Sequence, residues 1–100
     1  MAMACKRIRD YFIRQARMLV ERSCRDHDGF AAYFSEREPR DEEILGLIAV
    51  TVLLSGKYRL ADRYPTPAEA LAALPADFRK DICQEFRRHL RSCRRQLLLV

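Results

Sequence analysis

The stretch ILGLIAVTVLLSG, Ile44 to Gly56, carries no charge in a chain of which 33% is charged. A membrane-spanning helix needs about 20 apolar residues. This run is closed off well before that, by Asp41, Glu42 and Glu43 on one side and Lys57 and Arg59 on the other. No membrane partner is expected. Val50, Thr51 and Val52 favour a strand through their branched β-carbons, but no second segment of the chain offers itself as a pairing strand. The three carboxylates point to a helix instead. Asp41 suits the N-cap, and Glu42 and Glu43 fall in the first turn, where negative charge meets unpaired amides. A helix that is apolar on nearly every side is buried. The expected fold is therefore all-α, a small bundle of about four helices around a central apolar helix at residues 44–54. Gly46 lets a neighbouring backbone come close, at about 1 kcal/mol of helix propensity. Ser55 and Gly56 end the helix, or KYRLAD carries it on for a turn.

Working outward, a first helix is predicted over about residues 4–25, where nothing breaks a helix. Ile8, Phe12, Gln15 and Leu19 share one face, flanked by Tyr11 and Met18. Ile13, Val20 and Cys24 make a second, narrower stripe nearly opposite, read as packing under the loop that follows. That loop holds Phe30, Ala31, Ala32, Tyr33 and Phe34, an aromatic cluster expected to lid the core. SEREPRD, residues 35–41, is the most linker-like segment. The clearest helix start is TPAE: Thr66 as N-cap, Pro67 at the first position and Glu69 completing a capping box. Pro75 stops that helix. Asp77 is expected to cap a last helix reaching about Leu98. Phe78, Ile82, Phe86, His89, Cys93 and Leu97 share its apolar face, with Lys80, Arg87, Arg91 and Arg94 roughly opposite.

One hundred residues, 49% of them apolar, make one globular domain, residues 1–100, with a thin core. MAMACKRIRDYF lacks the apolar run of a secretory signal, so the expected location is cytoplasmic. The four cysteines are then expected to be reduced thiols. Residues 1–25 and 78–100 each carry seven basic and two acidic side chains, and residues 26–77 carry five and ten. The two basic ends avoid each other's field if the acidic middle lies between them or if both turn their charge outward.

The residues could serve four kinds of site. Cys24, His27, His89 and Cys93 have the donor types of a zinc site. Their two pairs lie 61 residues apart, however, and His89 and Cys93 fall on the apolar face, so they are read as core and no metal is expected. His27 between Asp26 and Asp28 could act as a general base, yet the chain has three glycines and no phosphate loop; no enzyme and no cofactor are expected. Arginine suits phosphate and carboxylate alike. The expected function is a non-enzymatic protein-binding module, an inhibitor, adaptor or accessory subunit, contacting an acidic protein surface. Its contact residues are read as Arg14, Arg17, Phe30, Tyr33, Phe34, Arg87, Arg91, Arg94 and Arg95. The alternative is DNA or RNA, held at its phosphates by the arginines of the terminal helices. A homodimer is a further partner, burying apolar surface such as the tail QLLLV.

Overall fold

Two long arginine-rich helices run side by side, and the apolar helix lies across them. The computed structural model describes residues 5–26 and 38–98, leaving aside the side chains of 23–26 and 94–98. In chain order the elements are α1 (Lys6–Asp26), α2 (Asp41–Ser55), a 3-10 turn (Lys57–Arg59), α3 (Leu60–Arg63), α4 (Pro67–Ala73) and α5 (Ala76–Leu98). There is no strand among the described residues. The fold is the expected all-helical bundle.

α1 and α5 are parallel. Arg9 pairs with Asp81 at 3.6 Å, Arg17 with Glu85 at 3.0 Å and Glu21 with His89 at 3.0 Å, so both helices climb together. Beneath this ladder the helices share a core of Phe12, Ala16 and Val20 from α1 and Ile82, Cys83, Phe86 and Leu90 from α5. This corrects the expectation of two opposed stripes on α1. Ala16 is fully buried and joins Phe12 to Val20, and Ile13 packs at the edge of the same core. A wheel of large apolar residues overlooks a buried alanine such as this one. Met18, expected to flank the main face, is 44% exposed.

α2 holds the centre, touching α1, α4 and α5. Ile44, Leu45, Ile48, Ala49 and Val52 are buried. Its start lies one residue earlier than expected: Arg40 is the N-cap, and its amide donates to Glu43 Oε1 at 3.2 Å. Its end follows the Gly56 expectation. Gly56 has φ 72°, a left-handed conformation natural to glycine, and its amide donates to Leu53 O at 3.4 Å. KYRLAD does not carry α2 on: Lys57–Arg63 is a separate short piece bent 113° away from it, with Tyr58 and Arg59 left-handed at its start. No single helix among the described residues is long and apolar enough to cross a membrane.

The capping box of α4 forms as its sequence requires. Glu69 N donates to Thr66 Oγ1 at 3.2 Å, and Thr66 N donates to Glu69 Oε2 at 3.3 Å. α5 starts at Ala76, just ahead of Asp77, with Arg79 N donating to Pro75 O at 3.1 Å.

The expectation of reduced thiols fails at Cys93, which is disulfide-bonded; Cys5 and Cys83 are free. The expectation weighed compartment alone. The fold matters too, since two thiols brought within bonding reach can oxidise whatever either does alone.

Candidate functional site

Arg7, Asp10, Tyr11 and Arg14 follow the i, i+3, i+4, i+7 spacing of one helix face. On α1 that face, together with Lys6, forms one wall of a groove. Lys57 and Tyr58 form the other. The groove encloses ≈ 460 Å³. Four cationic side chains therefore surround one carboxylate, and that carboxylate is already held: Asp10 Oδ1 accepts from Arg9 at 3.0 Å. The surplus charge is positive.

The second wall is built by unusual backbone. Tyr58 (φ 63°) and Arg59 (φ 51°) are both left-handed without being glycine. Each such residue costs on the order of 1 kcal/mol. What holds them is local. Leu60 immediately after is buried in the core. The Tyr58 ring meets Tyr11 edge-on with centroids 5.5 Å apart. Lys57 Nζ lies 4.9 Å from the Tyr11 centroid and 5.5 Å from that of Tyr58. A cation over aromatic faces contributes about 0.5–1 kcal/mol where water still reaches it. Tyr11 OH donates to Ser55 Oγ at 2.7 Å, and Ser55 Oγ donates to Val52 O at 2.6 Å. The floor is thus tied to the last turn of α2. Tyr11 is buried and Tyr58 is open to a ligand.

The residues expected as contacts are divided by the structure. Arg14 lies in the groove and is exposed. Arg17 continues the same side of α1 but is engaged with Glu85. Arg88 joins that carboxylate at 2.7 Å. Burial pushes the Glu85 acid up, and the hydrogen bonds and charges of Arg17 and Arg88 outweigh it, so the net shift is downward. Arg87 reaches away from solvent: it donates to Pro39 O at 2.8 Å and pairs with Asp41. It ties α5 to the start of α2, while Tyr11 ties α1 to the end. Those two ties are separated by the length of α2, about 22 Å at 1.5 Å per residue, so Arg14 and Arg87 do not share a surface. Arg91 is exposed on α5. Phe30, Tyr33 and Phe34 lie outside the described residues, as do the side chains of Arg94 and Arg95.

Lys6, Arg7, Lys57 and Tyr58 were missed by reading the sequence. The α1 members could have been found from their helical spacing to Arg14. Lys57 and Tyr58 could not, because their position depends on the sharp bend after Gly56.

The zinc reading gains no support. His89 faces Glu21, Cys93 is in a disulfide, and Cys24 and His27 lie outside the described side chains. Among the described residues no three His, Cys, Asp or Glu side chains are grouped to hold a metal ion. Cys83 is buried beside Asp41. Desolvation, and then the Asp41 charge and hydrogen bond against the opposing Arg87 charge, raise its thiol to about 11, which makes it a poor nucleophile. Comparison with protein-family models, with curated proteins and with solved structures gives no match for this chain.

Proposed function

We propose that the chain is a non-enzymatic protein-binding module, an inhibitor, adaptor or accessory subunit, that receives an acidic segment of a partner protein in the groove between α1 and the Lys57–Tyr58 turn. The observation that carries this reading is the charge of the groove: Lys6, Arg7, Arg14 and Lys57 around two tyrosines, against an Asp10 already paired to Arg9. Exposed ion pairs contribute only about 0–1 kcal/mol each, so the cations steer and orient an acidic ligand more than they hold it. The Tyr58 ring supplies the contact area that charge does not. Affinity is then modest and salt-sensitive. Nucleic acid is the second reading, because phosphates suit the same cations. Cytoplasmic residence belongs to the proposal as well, and the disulfide at Cys93 counts against it, since disulfides persist in oxidising compartments.

The test titrates the full chain with a labelled glutamate-rich peptide and, separately, with a single-stranded oligonucleotide. Saturable peptide binding is expected, weakened roughly tenfold or more in Arg7→Glu/Arg14→Glu. Oligonucleotide binding with a steep salt slope, and no peptide binding, would move the assignment to nucleic acid. Peptide binding unchanged in the double variant would remove the groove from the account.

A further inference from the structure

The groove between α1 and the Lys57–Tyr58 turn concentrates its charge at one point. Arg7 and Arg14 lie on one line of α1, seven residues apart, so their α-carbons are about 10.5 Å apart along the axis. Tyr11 lies between them, and Lys57 Nζ stands 4.9 Å from the centre of its ring. Two arginine side chains turned toward each other can therefore meet the ammonium over Tyr11. All three cations are exposed, and none has a carboxylate partner among the described residues. Asp10 is the opposing charge in the lining, and Arg9 offsets it at 3.0 Å. Lys57 is placed by strained backbone, since Tyr58 and Arg59 beside it are left-handed without being glycine. Strain of this kind gathers at ligand clamps, where it fixes a group before the ligand arrives.

Three converging cations ask for more than a carboxylate. A carboxylate has one charge and two oxygens, and one guanidinium in bidentate contact satisfies both. Exposed pairs of that kind hold little. A phosphate ester carries about −1.5 to −2 charge near neutrality and three acceptor oxygens, one for each of Arg7, Arg14 and Lys57. A nucleic-acid strand also offers phosphates, but in a row, and it needs cations in a row to track them. Past Arg14 that row is interrupted. Arg17 and Arg88 are both engaged with Glu85, at 3.0 and 2.7 Å. We infer, on the reading of the groove as the binding site, that the acidic segment it receives is phosphorylated. The phosphate of one side chain sits over Tyr11, held by Arg7, Arg14 and Lys57, and Lys6 at the rim is left for a neighbouring carboxylate.

Fluorescence anisotropy of the full chain with one glutamate-rich peptide in three forms tests this, the central residue being serine, glutamate or phosphoserine. The phosphoserine form is expected to bind about tenfold tighter than the glutamate form, with the serine form weakest. Lys57→Ala is expected to remove most of the difference between the phosphoserine and glutamate forms, and Arg7→Ala/Arg14→Ala all of it. The three positions are exposed and unpaired, so the variants are expected to fold. Equal affinity for the glutamate and phosphoserine forms would overturn the inference and leave the groove as a site for carboxylates. No binding by any form would remove the groove reading along with it. A phosphoserine preference that survives all three substitutions would put the phosphate elsewhere on the chain. Inorganic phosphate that displaces the phosphopeptide at the peptide's own concentration would make this a site for free phosphate rather than for a protein segment. A single-stranded oligonucleotide that displaces it as readily would give the groove to nucleic acid.

Discussion

α5 and α2 stand side by side in the bundle and use apolar residues differently. Along α5, Ile82, Phe86 and Leu90 are buried, while Arg88 and Arg91 across from them are wet. Along α2, Ile44, Ile48 and Val52 are buried, yet Leu47, Val50 and Leu54 across from them are wet too. Polar residues on α5 tell which side turns inward. On α2 no residue does, and the choice is made by its neighbours. An all-apolar helix in a small domain has more apolar surface than four short or amphipathic partners can cover. Its excess is a property of the size of the domain as much as of the helix.

The sharpest way to break this comparison is to truncate both sides of α2. Ile48→Ala is expected to destabilise by about 2–5 kcal/mol, because a fully buried side chain leaves a cavity. Leu54→Ala, the same kind of change six residues on, should stay within about 0.5 kcal/mol. Urea denaturation of the two variants reads the difference. Equal losses would mean that the Leu54 side is not open.

A smaller effect tests the joint where α2 meets α1. Gly56→Ala keeps its space, since nothing lies within 4 Å of the new β-carbon, but must hold φ near 72°. A loss of about 1 kcal/mol in thermal or chemical denaturation is expected. No loss would show that the left-handed turn relaxes, and that the Lys57–Tyr58 wall of the groove is not fixed by it.

The smallest effect belongs to the α1–α5 ladder. In the folded state Arg17 and Arg88 hold the Glu85 carboxyl below the ordinary glutamate range of pKa. Its contribution to stability is therefore full above that range and is lost as pH falls through the folded value. Glu85→Gln should cost at most about 1 kcal/mol near neutrality, since Arg17 and Arg88 are partly in water. Its stability should also fall less than that of the wild type on acidification. Denaturation curves at a series of pH values would show the two converging in acid. Parallel curves would mean that the ladder carries no linked proton.

These contrasts also mark what the sequence disclosed. The all-α class, the α2 helix, the capping box at Thr66 and the Phe86 side of α5 were legible, because each rests on local chemistry or on helical period. The Phe12–Ala16–Val20 side of α1 was not, since an alanine adds little to an apolar pattern although Ala16 is fully buried. The open side of α2 was invisible for want of any polar residue to mark it. Of the groove, Arg14 was found from its type, and Lys57 and Tyr58 were hidden by a bend that depends on two left-handed residues no periodicity describes. Arg17 and Arg87 show the opposite case: charge read as available is engaged within the fold.

The parallel pairing of α1 and α5 fixes an order of events during synthesis. α1 must wait for α5, because the contacts between them join residues 68 apart. At roughly 5–20 residues per second, the interval is about 3–14 seconds. Throughout it the Phe12, Ala16 and Val20 side of α1 has no α5 to cover it, however stable the finished protein. That side of α1 is therefore exposed on the nascent chain until α5 has left the ribosome and folded against it.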